Sequence, residues 1–150
     1  MAAFLVRHAK AGDRTKWHGD DRKRPLTKSG WEQAEVLSKR LRKEEITRVA
    51  SSPAVRCVQT VEMLAEDLGL KVDKIPELAE GSTPEECLKL IRKHADDGIV
   101  ISTHGDVMLG VLYEAVRPVP EDVPVAKGCC WVFEVKKGEI RVLEYIKPAD

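Results

Sequence analysis

A three-layer α/β/α sandwich around a mostly parallel sheet is the fold class this 150-residue sequence predicts, on three observations. Short apolar runs alternate along the chain with segments of helical periodicity. The first run, Ala2 to Val6, is apolar throughout, as expected of a strand buried on both faces. The last two strand candidates follow one another with no helix between them, so one strand near the C-terminus runs antiparallel.

The elements follow in order. After the first strand, the polar stretch Lys10 to Arg24 reads as a loop. Thr27 is an N-cap candidate, and Trp31, Ala34, Leu37 and Leu41 recur at helical spacing up to about Glu45. Arg48 to Ser51 forms a second strand. Ser52-Pro53 then opens a helix, serine capping and proline in the first position, with Val58, Val61, Leu64, Ala65 and Leu68 as its buried stripe and Gly69 ending it. Leu70 to Ile75 is a third strand. Thr83-Pro84-Glu85-Glu86 matches a capping box that starts a helix through about His94. Ile99 to Ser102 is a further strand, and Val107, Val111 and Leu112 mark a short helix ending before Arg117-Pro118. Cys130 to Val135 and Arg141 to Tyr145 close the chain, with Lys137-Gly138 turning between them.

Size and composition narrow the functional classes. At 16.8 kDa the chain suits one compact domain over residues 1–150. Its 25 basic and 25 acidic side chains cancel, so no overall field favours nucleic acid or an anionic membrane, and any affinity for phosphate must be local. The apolar run before Arg7 is too short for a signal-peptide core or a membrane span, which points to the cytoplasm. Cys57, Cys87, Cys129 and Cys130 form no CxxC pair and no Cys/His ligand pattern, so they read as reduced structural thiols with no metal site.

Unusual polar residues gather where strands end, the edge at which open α/β sheets bind ligands. The first strand ends Leu5-Val6-Arg7-His8. The strand near residue 100 ends Ser102-Thr103-His104-Gly105. The second leads through Ser51-Ser52-Pro53 to Arg56 in the first turn of the next helix. Arginine is a permanently charged fork that matches phosphate oxygens, and a helix start adds free N–H groups. Two arginines around one anion would destabilise an empty site, so a phosphate ester or phosphoramidate is the natural complement. No nucleophile elbow, P-loop or magnesium-binding carboxylate cluster is present, whereas a neutral histidine is a competent covalent carrier. His8, directly after Arg7 on a central strand, has the better claim to attack, with His104 as a donor to the phosphoryl oxygens.

The runs Leu5-Val6-Arg7-His8-Ala9, Ser51-Ser52-Pro53-Ala54-Val55-Arg56-Cys57-Val58-Gln59-Thr60 and Ser102-Thr103-His104-Gly105 resemble the three signatures of the histidine phosphatase superfamily. The match covers nearly the whole chain. Its short length, and Arg24-Pro25-Leu26-Thr27-Lys28-Ser29-Gly30 at the first helix, resemble the SixA-like phosphohistidine phosphatase branch. The resemblance implies a phosphoglycerate mutase-like fold with a six-stranded mixed sheet, a covalent intermediate on His8, phosphate contacts at Arg7, Arg56 and His104, and no metal or other cofactor. The run Ala9-Lys10-Ala11-Gly12-Asp13 departs from the family's glycine, threonine and asparagine pattern, so phosphate contacts from this loop do not carry over. Aligning Gly81 with the family's glycine puts Glu77 at the general-acid position, with Glu80 and Asp106 as rivals.

Other residues have plainer readings. Arg24, in the basic group Arg22-Lys23-Arg24, is a candidate substrate contact, although Asp20 and Asp21 beside it suit an ordinary solvated loop. Trp17 and His18 are candidates for the pocket rim, His94 for the surface, and Trp31 and Trp131 for the core. The leading function is hydrolysis of a phosphohistidine on a protein. The alternative is a small-molecule or nucleotide phosphatase, since Leu5 to Gly81 also resembles the phosphatase domain that follows a Nudix domain in some actinobacterial enzymes. A non-enzymatic phosphate-binding adaptor would predict loss of one of the four site residues, and all four are present.

Overall fold

The computed structural model describes residues 1–115 and 123–150. Strand β1 is Ala3–Arg7. Helix α1, Lys28–Leu41, begins where Thr27 Oγ1 accepts the Gly30 N–H at 3.1 Å, the predicted cap. It stops short of Glu45 because the chain there passes against Gly98. A Cβ on Gly98 would lie 1.9 Å from the Glu45 carbonyl oxygen, and Thr47 N donates to Gly98 O at 2.8 Å.

Strand β2, Arg48–Ser51, is followed by helix α2, Val55–Leu68. The predicted serine cap is not used. Ala54 occupies the N-cap with no side-chain bond, and Ser52 Oγ pairs with a histidine instead. Gly69 closes α2 in the left-handed conformation, φ 68°. Strand β3 is only Val72–Lys74, and helix α3 is Glu85–His94. Pro84 is its N-cap in helical geometry with no side-chain bond, so the Thr83 capping box does not form. Strand β4 is Ile99–Thr103, and helix α4 is described over Gly105–Ala115, the expected end before Arg117 lying outside the described residues. Strands β5, Cys130–Lys136, and β6, Glu139–Ile146, are joined by Lys137 and Gly138, whose φ values of 53° and 79° suit a tight hairpin.

The six strands form one sheet in the order β3-β2-β4-β1-β5-β6. All neighbours are parallel except β5, which runs antiparallel to both β1 and β6. Alternation along the strands sorts the core into two layers. Phe4, Val6, Val49 and Val100 pack against Leu37 and Leu41 of α1 and Val61 and Leu64 of α2. Ala3, Leu5, Ile99 and Ile101 face Ile91 of α3 and Met108 and Leu112 of α4.

Register is what aligns the polar strand ends. Arg7 sits opposite Thr103, and Ser51 opposite Ser102. The pairing runs one residue further on each side, through His8 N to Thr103 O at 3.0 Å and Ser52 N to Ser102 O at 2.9 Å. His8, Ser52 and His104 therefore leave the sheet at one edge. No helix among the described residues is long and apolar enough to cross a membrane.

Candidate active site

The carboxyl ends of β1, β2 and β4 open onto two adjoining recesses. One, of about 600 Å³, is lined by Arg7, His8, Arg14, Arg24, Asp106 and Lys127 among others. The second, of about 400 Å³, includes Asp21, Ser52, Arg56 and His104. Glu80 lines both. The His8 and His104 rings meet edge-on, their centroids 5.7 Å apart.

His8 follows the last residue of β1, and its Nδ1–H donates to its neighbour's carbonyl, Ala9 O, at 2.8 Å. That assignment leaves Nε2 with a free lone pair. Burial, opposed by that hydrogen bond and helped by Arg56, His104 and Arg7, pulls the His8 pKa down to about 3, so the ring is neutral near pH 7. The backbone around it is tied to α2: Ala9 N donates to Thr60 Oγ1 at 2.9 Å, and that hydroxyl donates to Arg56 O at 2.7 Å. His104 is held by Ser52 Oγ at 2.9 Å from Nε2, with Cys57 Sγ at 3.5 Å. Burial first, then Arg56, lowers its pKa to about 4. Burial also pushes the Cys57 thiol up to about 12, and all four cysteines are buried and free.

Arg56 is 1% exposed, an expensive place for a permanent charge. Its Nη1 donates to Asp21 O at 2.8 Å, its Nη2 contacts Asp21 Oδ2 at 3.2 Å, and Glu80 Oε2 lies 3.7 Å away. The Arg7 Nη1 group donates to Val125 O. Among the described residues, the buried side-chain polar atoms without a hydrogen-bond partner are Arg7 Nε and Arg56 Nε. Buried donors are nearly always paired. Two buried guanidinium N–H groups without acceptors, one on a residue lining each recess, give this edge a donor chemistry that suits the oxygens of an anion.

The structure brings Arg7, His8, Arg56 and His104 together, as the sequence predicts. Arg24 joins them: it is buried, not part of a solvated loop, bonding Asp21 Oδ1 at 2.9 Å and Gly12 O at 2.6 Å. Glu77 does not. The turn Pro76–Leu78 buries Leu78 and leaves Glu77 exposed, outside the lining of both recesses, while its rivals Glu80 and Asp106 lie within it. Each rival is engaged as an acceptor. Glu80 pairs with Arg14 at 3.0 Å, and Asp106 takes the N–H groups of Gly81 and Val107 at 2.8 and 2.9 Å.

Trp17 and His18 are exposed and line neither recess; the Trp17 indole donates to Asp20 O. His94 is buried, not superficial, 3.4 Å from Asp97. Trp131 is in the core, and Trp31 is half-buried at its margin. Sequence reasoning missed Asp21, Arg14, Lys127 and the hydroxyls of Ser52 and Thr60. The hydroxyls lie inside the run from Ser51 to Thr60 that carries the second signature, whereas nothing local marks Lys127.

A family model for the histidine phosphatase superfamily (branch 1) matches residues 3–86. The chain belongs to the histidine phosphatase superfamily. Among curated proteins, an 8-oxo-(d)GTP phosphatase of Mycolicibacterium smegmatis is 36% identical over 156 residues, covering 98% of this chain and 48% of that protein. The chain thus spans about half the length of that relative. Solved structures share the fold. The protein histidine phosphatase SixA complexed with tungstate superposes with a TM-score of 0.83 at 21% identity, covering 97% of this chain and 96% of that one. A phosphoglycerate mutase from Bacillus anthracis gives 0.76 at 15% identity, covering 95% and 91%. The superfamily fold with its six-stranded mixed sheet is as predicted.

Proposed function

We propose that this chain is a phosphatase that carries the phosphoryl group on His8 and needs no metal. The observation that carries this reading is the pair of orphaned donors, Arg7 Nε and Arg56 Nε, on the two guanidinium groups whose charges act on a neutral imidazole with one free nitrogen. His8 Nε2 attacks phosphorus while its Nδ1–H stays on Ala9 O. The bond from phosphorus to the leaving atom breaks, and its electron pair departs with the leaving group. Arg7, Arg56 and His104 hold the phosphoryl oxygens as charge spreads over them. Water then attacks phosphorus, the P–Nε2 bond returns its pair to the ring, and orthophosphate and a proton are released.

The leaving group is one that departs without a strong acid, because the lining carboxylates Glu80 and Asp106 are already engaged as acceptors. Phosphohistidine on a protein meets that condition, and so does the terminal phosphate of a nucleoside di- or triphosphate. The relative named 8-oxo-(d)GTP phosphatase, similar along almost the whole chain, favours the second.

Phosphate release in EDTA from a phosphohistidine protein and a nucleotide panel tests the reading. Turnover by the wild type, reduced on the order of 10³-fold or more in His8→Ala, is the expected result, as for other nucleophile deletions. Turnover that survives in His8→Ala would remove His8 as the carrier.

A further inference from the structure

The larger recess holds more cation than one phosphoryl group uses. Beyond Arg7 it is lined by Arg14, Arg24 and Lys127. Arg14 is neutralised by Glu80 at 3.0 Å and Asp21 at 3.5 Å, and Arg24 by Asp21 at 2.9 Å. Lys127 has no ion-pair partner among the described residues, although Asp13, Glu80 and Asp106 line the same recess.

The backbone that carries the exposed Lys127 side chain is held in place. Its turn is pinned to the end of β1 by Gly128 N, which donates to both Arg7 O and His8 O at 3.1 Å, and is closed by Cys129 N on Ala126 O. Gln33 donates to the Lys127 carbonyl at 3.4 Å while accepting the Lys10 N–H at 3.0 Å. The ammonium is thus carried on backbone bonded directly to the nucleophile's own strand end. Partial burial lowers its pKa, and the surrounding charges of Arg7, Arg24, Arg14 and Arg56 lower it further. A cation among cations, on an anchored turn and with no carboxylate paired to it among the described residues, is stabilised by an anion that enters from outside.

We propose that Lys127, beside the carboxylate-paired Arg14 and Arg24, provides a second anion subsite next to His8 that takes the penultimate phosphate of a nucleoside di- or triphosphate. The terminal phosphoryl group is then the one presented to His8, so the inference rests on His8 as the carrier and names the substrate class. His8 Nε2 bonds to the terminal phosphorus and the anhydride P–O bond breaks. The shortened nucleotide leaves with that electron pair on its new terminal oxygen, beside the Lys127 ammonium. A phosphohistidine side chain has no second phosphate and leaves this subsite empty.

Pyrophosphate is the minimal probe. Binding of pyrophosphate and of orthophosphate is measured calorimetrically in EDTA on the His8→Ala protein, which cannot consume either. Pyrophosphate should bind about tenfold or more tighter than orthophosphate, the factor one charge-assisted hydrogen bond of ~1.5 kcal/mol supplies. Adding Lys127→Ala should shrink that preference to within about threefold, and Lys127→Arg, which keeps the charge and guards against a folding defect, should retain it. No preference in the first protein, or a preference that Lys127→Ala leaves intact, overturns the subsite. If the preference behaves as expected while the wild type releases phosphate from no compound, the subsite stands and the reading of His8 as carrier falls.

Discussion

Gly105 follows His104 at the start of α4, and its hydrogen side faces the Arg7 guanidinium so closely that a Cβ would lie 2.7 Å from Arg7 Cζ. The obstructed atoms are the far end of a side chain, so Gly105→Ala displaces the guanidinium rather than the backbone. We expect kcat/KM for phosphate release to fall about 10²-fold, the usual penalty for an ångström of misplacement, with the thermal midpoint nearly unchanged. A large drop in midpoint with normal kinetics would show that Arg7 is mainly structural. Arg7, His8, Arg56 and His104 were legible because each stands at a strand end or in the first turn after one, where a one-dimensional reading locates the sheet edge. Lys127 was not: it reaches the site only through the antiparallel pairing of β5 with β1, a contact spanning more than a hundred residues. Glu77 shows the opposite error, since alignment on a glycine places a carboxylate in sequence but does not say which side of a short turn it takes.

Thr60 of α2 and Gly69, which caps its C-terminus, separate the helix's positioning role from its stabilising role. Gly69, in the left-handed conformation with nothing near its missing Cβ, meets only a backbone penalty on substitution. Gly69→Ala should lower stability by about 1–2 kcal/mol in denaturant titration and leave kcat/KM alone. Thr60 accepts from Ala9 N and donates to Arg56 O, joining the loop after His8 to the helix that carries the buried arginine. Thr60→Val keeps the shape but leaves the Ala9 N–H buried and unpaired, which costs about 1–3 kcal/mol. Here stability and kcat/KM should fall together, and Thr60→Ser should restore both. An unaffected kcat/KM in Thr60→Val would show that His8 does not depend on this tie. Strands and helix stripes were readable from periodicity. The caps were less so, because Ser52 has the right propensity for a cap but a tertiary partner, His104, claims its hydroxyl.

The whole molecule should register its active site in its acid stability. His8 and His104 titrate near 3 and 4 when folded, against about 6.5 for an exposed histidine. Between about pH 6.5 and 4 the unfolded chain therefore takes up protons at these two positions that the folded chain refuses, so stability rises with pH across this window and is lost as pH falls through it. The aspartates held below their ordinary range act lower down: Thr15 hydrogen bonds depress Asp13, and Arg22 brings Asp20 to about 2. Their contribution fades below about pH 4, leaving the upper window to the histidines. His104→Ala should flatten the dependence of unfolding free energy on pH between 6.5 and 4, measured by denaturant titration at low salt. Orthophosphate offers a sharper discrimination. Orthophosphate is mainly a monoanion below about pH 7, and a monoanion seated between the rings favours their protonated forms, so saturating phosphate should both stabilise the protein and reduce the slope in that window. Phosphate that stabilises equally at pH 6.5 and 4.5, with the slope unchanged, would place the bound anion away from the two histidines.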